Sequence, residues 1–192
     1  MRTVEWTRME EGTRADYELL NPAADEHVRA NLVDNLFTML RTLQGPTLGY
    51  QVDRYQHSLQ SATRAFRNEE SIDLVVGALF HDVADCFAPE NHSAGAAALL
   101  APYVDERTHW IVKHHGLFQG YYYLHHFGFD RDARDRFEDT PNYDACIAFC
   151  AEYDQNCFDP TYDNLALEEF EPMVREVFGR ESRMPDLAPR SQ

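Results

Sequence analysis

Apolar residues recur at every third or fourth position along most of this chain, which is the spacing of one face of an α-helix. The first such pattern predicts a helix from Ala24 to Leu43, after the turn signal Asn21-Pro22 and before Gly45-Pro46. Its apolar face would consist of Val28, Leu32, Leu36, Leu40 and Leu43. A second helix is predicted from Asp53 to Asn68, with Asp53 as its capping residue.

The stretch from Ile72 to Asp82 differs from the others because almost every residue in it is apolar. Ser71 precedes this stretch and is a residue type that caps helices. A helix without a polar face packs in the interior of a protein. We therefore expect a central, buried helix whose inner end carries the adjacent pair His81 and Asp82.

Four further helices are predicted from capping residues, prolines and apolar spacing. They cover residues 92–102, capped by Asn91; 106–115, capped by Asp105 and ended by Gly116; 141–154; and 172–178, with Pro172 in the first turn. The aromatic stretch 116–130 shows no clean alternation and is expected to be a long connection. Since no strand pattern or repeat is found, the predicted fold class is all-α, a helical bundle.

Length, composition and charge narrow the choice of function. A chain of 192 residues, 44% of them hydrophobic, can form one domain with a sizeable core. We place this domain at 23–179, between an irregular leader at 1–22 and a disordered tail at 180–192. The net charge of −16 disfavours nucleic acid and anionic membranes as partners. Without a membrane-length apolar stretch or a signal peptide, the protein is expected to be cytoplasmic.

Histidine and aspartate supply the candidate chemistry. Both side chains bind first-row transition metals, and the carboxylate of a His-Asp pair can bridge two ions while the imidazole binds one. Six such ligands exceed what one ion takes while leaving room for water or substrate, so we predict two ions. Two cysteines at helical spacing before Asp154 are expected to be small buried residues. The candidate ligands are His57, His81, Asp82, His92, His114 or His115, and Asp154.

The order of these residues resembles the HD-domain superfamily, whose pattern is an upstream His, a His-Asp pair and a distant Asp. The similar segments are "QHSLQSA" around His57 and "LFHDVAD" around His81, and the resemblance covers roughly residues 45–160. It implies an HD-domain helical bundle with a dinuclear metal site between helices, in which Asp82 bridges the ions and is the catalytic carboxylate. His92 and one of the adjacent pair would hold the second ion. In the diiron oxygenase branch the ligand His directly precedes a turn, which favours His115, before Gly116, over His114.

Two enzyme classes share this ligand pattern. The mixed-valence diiron oxygenases, which include myo-inositol oxygenase and the organophosphonate-cleaving oxygenases, are the closer match through "HSLQ" at residues 57–60. This resemblance implies two iron ions, Fe(II)/Fe(III), and O2 acting on a small polar substrate. The alternative is a binuclear phosphohydrolase that uses manganese, cobalt or other divalent metals on a small phosphate ester or nucleotide. A metal-binding module without catalysis is a third hypothesis.

Two departures from the resembled families bear on the substrate. Asp85 and Gln119 stand where many relatives carry anion-binding lysines. An unpaired aspartate near a phosphate weakens binding, so we predict a neutral or cationic substrate unless Arg54, Arg131 or Lys113 reaches the site. The tyrosine and glutamate that cover one iron in the phosphonate oxygenases are absent, since Thr47 and Tyr50 occupy those positions. Candidate substrate-binding residues are Gln60, Asp85, Lys113, Gln119, Tyr121 and Gln155.

Overall fold

The computed structural model describes residues 3–183, without the side chains of residues 23–25. Within these residues it contains seven α-helices, several short 3-10 turns and no strand, so the predicted all-α bundle is confirmed. The division into domains stays a prediction. The helices are Arg14–Arg41 (α1), Arg54–Arg67 (α2), Ile72–Phe80 (α3), His92–Leu100 (α4), Glu106–Gln119 (α5), Tyr143–Phe149 (α6) and Glu171–Phe178 (α7).

The apolar helix α3 lies at the centre of the bundle, where it contacts α2, α5 and α7. Its side chains from Leu74 to Phe80 are at most 1% exposed, as expected for a helix without a polar face. Gly77 allows α5 to approach closely, because a Cβ there would lie 2.7 Å from the Thr108 side chain. The helix ends at Phe80, and the following turn carries His81 and Asp82 into the core of the bundle.

Three of the four predicted helix caps are present. Asp53, Ser71 and Asp105 accept backbone N–H hydrogen bonds at 2.8, 3.2 and 2.6 Å from the third residue beyond each of them. The prediction for Asn91 is wrong, because its side chain makes no capping hydrogen bond. A 3-10 turn at Pro89–Asn91 leads into α4 instead. The prediction of Pro172 in the first turn of the last helix is confirmed.

The prediction for the first helix is wrong at its start. Helix α1 begins at Arg14, so residues 14–22 are helical rather than an irregular leader, and Pro22 lies inside the helix. Thr13 and Asp16 form a capping box, which starts the helix early. Pro22 cannot donate to the carbonyl four residues before it, but this part of the helix is exposed and solvent can replace that bond. Val28 is 56% exposed and therefore does not belong to the apolar face.

Helix α5 also differs from its prediction, since it continues through Gly116 to Gln119. Gly116 is required by packing and does not end the helix. A Cβ at this position would lie 2.6 Å from Ser93 Oγ on α4. The predicted long connection is correspondingly shorter, and it contains 3-10 turns at Gly120–Tyr122 and Leu124–Phe127.

After α6 the chain forms a π-helical turn, Cys150–Asp154, closed by a bond from Gln155 N to Cys150 O at 3.0 Å. Such turns are rare and occur mostly at functional sites. The thiols of Cys146 and Cys150 are buried and donate to backbone carbonyls of α5 at 3.7 and 3.6 Å. They are therefore packing residues, as expected from the sequence.

The predicted disordered tail is wrong for its first four residues, 180–183. Arg180 Nη1 lies 2.6 Å from Asp73 Oδ1, and Arg183 Nη1 donates to the Val104 carbonyl at 2.9 Å. Residues 184–192 lie outside the described part of the chain. Among the described helices, none combines the length and the apolar character needed to cross a bilayer.

Candidate metal centre

Six of the candidate ligands come together where five elements of the bundle meet. Helix α2 contributes His57, the turn after α3 contributes His81 and Asp82, α4 begins with His92, α5 carries His115, and the π-helical turn ends with Asp154. Five of the six are buried, with exposed fractions of 5% or less. His92 is the exception, because its side chain is 25% exposed.

We call His57, His81 and Asp154 the inner group. The Nε2 atoms of His57 and His81 are 3.1 Å apart. Asp154 Oδ1 lies 3.3 Å from His57 Nε2 and 3.9 Å from His81 Nε2. Three donor atoms on three separate elements thus converge on one point, close enough together to hold a metal ion.

We call Asp82, His92 and His115 the outer group. Asp82 Oδ1 lies 3.2 Å from His115 Nε2 and 3.5 Å from His92 Nε2. Asp82, His115 and the shared His81 form a second set that can hold an ion, with His92 beside it. The other oxygen of Asp82, Oδ2, faces the inner side at 3.5 Å from His57 Nε2. The two oxygens of one carboxylate therefore face two different groups of ligands.

Backbone carbonyls set the orientation of all four imidazoles. The Nδ1 atoms of His57, His81, His92 and His115 lie 3.1, 2.7, 3.1 and 2.7 Å from carbonyl oxygens. A carbonyl only accepts hydrogen bonds, so each Nδ1 carries a proton and each neutral ring keeps its lone pair on Nε2. This arrangement is the one found around metal-binding histidines, where a second partner orients the ring.

Burial and neighbouring charges shift the pKa of His81, Asp82 and Asp154 towards the forms that bind a metal ion. Burial lowers the pKa of His81 to about 4, so its ring is neutral at pH 7. For Asp82, burial alone raises the pKa, but the nearby histidines, His81 first, outweigh burial and lower it well below its usual range. For Asp154 too, burial raises the pKa, but the nearby histidines, His57 first, outweigh burial and lower it. At His115, by contrast, burial lowers the pKa, but the hydrogen bond and charge of Asp82 outweigh burial and raise it.

The donor set fits a metal ion better than it fits a hydrogen-bonded cluster. Two imidazoles bound side by side to one ion at about 2.0–2.1 Å have nitrogens about 3 Å apart, and the distance between His57 Nε2 and His81 Nε2 is 3.1 Å. Asp154 Oδ2 is buried and has no hydrogen-bond partner among the described residues. A buried acceptor without a partner is costly, and a cation at this place would satisfy it.

The structure distinguishes the two adjacent histidines that the sequence left as alternatives. His115 points into the cluster, whereas His114 stacks on Trp110 with ring centroids 4.1 Å apart and donates from Nδ1 to the Trp110 carbonyl at 2.7 Å. His114 also lies against Phe137, with centroids 4.9 Å apart. His114 is therefore a packing residue on the other side of α5.

A cavity of about 340 Å³ opens from the outer group towards solvent. Of the predicted substrate-binding residues, Gln119 and Gln155 line it. Gln119 donates from Nε2 to Asp154 Oδ1 at 3.1 Å, and its Oε1 is buried without a partner among the described residues. A larger cavity of about 470 Å³ lies between α1 and α7 and contains none of the candidate ligands, so the smaller cavity is the relevant one.

Three predicted substrate-binding residues lie elsewhere. Gln60 is 1% exposed, and its amide bonds both the N–H and the carbonyl of Asp159, so it holds the 155–160 loop. Lys113 is exposed and does not line the cavity. Tyr121 is covered by the guanidinium groups of Arg131 and Arg134 at 4.0 and 3.7 Å from its ring centroid. Gln60 and Tyr121 were predicted from closeness in sequence to a ligand and Lys113 from its charge, and neither property gives the side-chain direction.

The cavity also contains residues that were not predicted to bind substrate. Its aromatic walls are Tyr50, Tyr122, Tyr123 and Phe158. Arg54 lines it as well, three residues before His57 on α2. Asp85, which was predicted to bind substrate, does not line the cavity but forms an ion pair with Arg54 at 3.2 Å. Helical spacing places Arg54 on the face of α2 that carries His57, and this was the signal available in the sequence.

A scan against models of protein families finds no match to this chain. A search among curated proteins likewise finds no relative with a significant match. The geometry of the site and the order of its ligands therefore carry the information about function.

Proposed function

We propose that this protein is a dinuclear metalloenzyme of the HD-domain type that oxidises a small polar substrate with O2. The observation that supports two ions is the position of Asp82 between the two groups. Its Oδ1 faces His115 and its Oδ2 faces His57, at 3.2 and 3.5 Å. A carboxylate in this position suits a bridge between two metal ions.

The chain offers a complete set of ligands for each ion. His57, His81, Asp82 and Asp154 would hold one, and Asp82, His92 and His115 would hold the other. Two iron ions, Fe(II)/Fe(III), would supply O2 binding and the electrons for oxidation. Asp82 couples the two positions, which is the reason for assigning it the catalytic role.

The residues around the outer group have separate tasks. His92 and His115 leave one side open to the cavity, where a substrate can approach. Gln119 fixes Asp154 through its amide N–H and presents its buried Oε1 as an acceptor for a substrate hydroxyl or amine. The aromatic walls reduce the amount of water beside the reacting atoms.

The choice of an oxygenase over a hydrolase is supported by the local resemblance of "HSLQ" at residues 57–60, because both classes share the ligand pattern. Four imidazoles and two carboxylates form a nitrogen-rich set that suits iron. The alternative, a binuclear phosphohydrolase, is favoured by Arg54, since a guanidinium group beside Asp82 suits a phosphate ester. Both proposals require two metal ions.

Measurement of the two reactions side by side separates these proposals. Anaerobically purified, iron-loaded protein should contain two ions per chain and show a mixed-valence electron paramagnetic resonance signal. It should also take up O2 in the presence of a substrate from a panel of small hydroxylated and amino compounds. Manganese- and cobalt-loaded protein should release no phosphate from phosphate esters and nucleotides. Phosphate release without a mixed-valence signal and without substrate-dependent O2 uptake would favour the hydrolase.

A further inference from the structure

Arg54 occupies the border between the outer group and the cavity. Its Nη1 lies 3.4 Å from Asp82 Oδ2, and its Nε lies 3.2 Å from Asp85 Oδ2. The third nitrogen, Nη2, makes no hydrogen bond within residues 3–183. A guanidinium group has five N–H donors in a planar fork, so Arg54 keeps donors available on the side that faces the cavity.

A stack of rings holds Arg54 in this position. The His57 ring stacks on Phe158 at 4.5 Å between centroids, and Phe158 stacks on Tyr50 at 4.8 Å. The guanidinium carbon of Arg54 lies 5.3 Å from the Tyr50 ring centroid. This stack runs from an inner ligand to the cation, so the guanidinium group is positioned relative to the metal centre before any ligand arrives.

The prediction of a neutral or cationic substrate depended on the absence of a cation from the site, and Arg54 is such a cation. Asp82 would be shared with the ions in the loaded protein, which leaves Asp85 as the main counter-charge of Arg54. One carboxylate at 3.2 Å offsets part of the charge of Arg54 and would repel a second negative charge placed beside it. At the guanidinium itself, apart from the charge of the ions, the balance therefore favours an added group with one negative charge over a doubly charged one.

We propose that Arg54 binds a carboxylate of the substrate, so that the substrate is a small hydroxy or amino carboxylic acid. Two parallel N–H···O bonds from a guanidinium match the planar shape of a carboxylate. The buried Oε1 of Gln119 would accept the hydroxyl or amino hydrogen of the same molecule. This inference names the substrate class of the proposed oxygenase and therefore rests on the proposed function.

The test uses zinc-loaded protein, because zinc has no redox chemistry and binding can be measured without turnover. Glycolate, ethylene glycol and inorganic phosphate are titrated by calorimetry. Glycolate should bind more tightly than the other two. Arg54→Gln should weaken glycolate binding by about 10- to 100-fold, the effect of losing a hydrogen bond to a charged group, and leave ethylene glycol unchanged.

Two variants make the result specific. Asp85→Asn removes the competing carboxylate and should tighten glycolate binding, the opposite of the Arg54→Gln effect. Arg131→Gln is the matched control, since Arg131 stacks on Tyr121 and does not line the cavity, and it should leave glycolate binding unchanged. Zinc content is measured for every variant. If Arg54→Gln lowers the zinc content, Arg54→Lys is used in its place, because lysine keeps the positive charge but lacks the planar fork. The loss of glycolate affinity in Arg54→Lys should then be intermediate.

Equal glycolate affinity in wild type and Arg54→Gln would overturn the proposal. Arg54-dependent binding of phosphate in preference to glycolate would overturn it too, and would support the hydrolase. Failure of the proposed function gives a different result, because the protein would then take up fewer than two metal ions or no O2. The difference in glycolate affinity between wild type and Arg54→Gln is still measurable in metal-free protein.

Discussion

The inner and outer groups use the same residue types in different surroundings. His57 and His81 are completely buried and Asp154 is 3% exposed, whereas His92 of the outer group has a side chain that is 25% exposed. A closed set of ligands is typical of a structural metal position, and an open one is typical of a position that receives substrate. The inner ligands are thus enclosed except at Asp154, which lines the cavity, whereas the half-buried His92 makes the outer group the more open of the two.

The difference follows from where the elements lie in the bundle. The inner ligands are on α2, on the turn after the central helix α3 and on the π-helical turn, all of which contact one another in the core. His92 is at the first residue of α4, where its ring also contacts the hydroxyl of Ser93 at 3.2 Å. The outer group is therefore assembled at the edge of the core, and its occupancy depends on how α4 packs against α5.

The largest effect is expected for Asp82, because its two oxygens face the outer and the inner group. Asp82→Ala should reduce the metal content from two ions per chain to none, because each group loses an oxygen ligand and both ions lose a negative charge in a buried site. Elemental analysis of purified protein measures this. His114→Ala is the control, and its metal content should be unchanged because His114 stacks on Trp110 outside the cluster. Loss of metal from His114→Ala but not from His115→Ala would show that the ligand assignment is wrong.

A smaller and more selective effect is expected when each group is damaged separately. Asp154→Ala should remove the inner ion, since the inner histidines are the candidate ligands that Asp154 contacts, and should leave the Asp82, His92 and His115 set able to bind one ion. His92→Ala should remove or weaken the outer ion alone. Metal stoichiometry in a titration with chelator distinguishes the two variants. If both variants lose both ions together, the two groups form one inseparable site.

The smallest effect is expected from the contact between α4 and α5 that supports the outer group. A Cβ at Gly116 would lie 2.6 Å from Ser93 Oγ and 3.4 Å from His92 Nε2. Gly116→Ala should therefore lower the free energy of unfolding by about 1–3 kcal/mol, the usual range for overpacking, and weaken the outer ion more than the inner one. Urea denaturation and metal titration measure the two effects. Gly45→Ala is the control, because no atom lies within 4 Å of a Cβ there, and equal losses in both variants would contradict the packing argument.

Local signals in the sequence predicted much of the fold. The starts of α2, α3 and α5 follow from Asp53, Ser71 and Asp105, which act within three residues of themselves. The wrong predictions of helix ends concern residues whose effect depends on tertiary packing. Pro22 and Gly116 are helix-breaking types, yet one lies in an exposed helix and the other where two helices cross.

In the candidate site, too, some features were predictable from the sequence and others depended on tertiary packing. Imidazole and carboxylate residues in a known order predicted which side chains would meet, and all six of them do. Neighbours in sequence such as Gln60 and Tyr121 were poor guides, because their side chains leave the backbone in other directions. Arg54 was the opposite case, since it came into consideration as one of three cations and proved to line the cavity.

The sequence by itself determined the helical class, most of the helix starts and the identity of the candidate ligands, because caps, apolar spacing and residue chemistry are local properties. Only the tertiary structure decided between His114 and His115, since residues adjacent on a helix point about 100° apart and packing alone determines which one faces the core. It likewise decided that Asp82 stands between two groups and that Arg54 borders the cavity. Those facts depend on how separate helices cross, which no local pattern encodes.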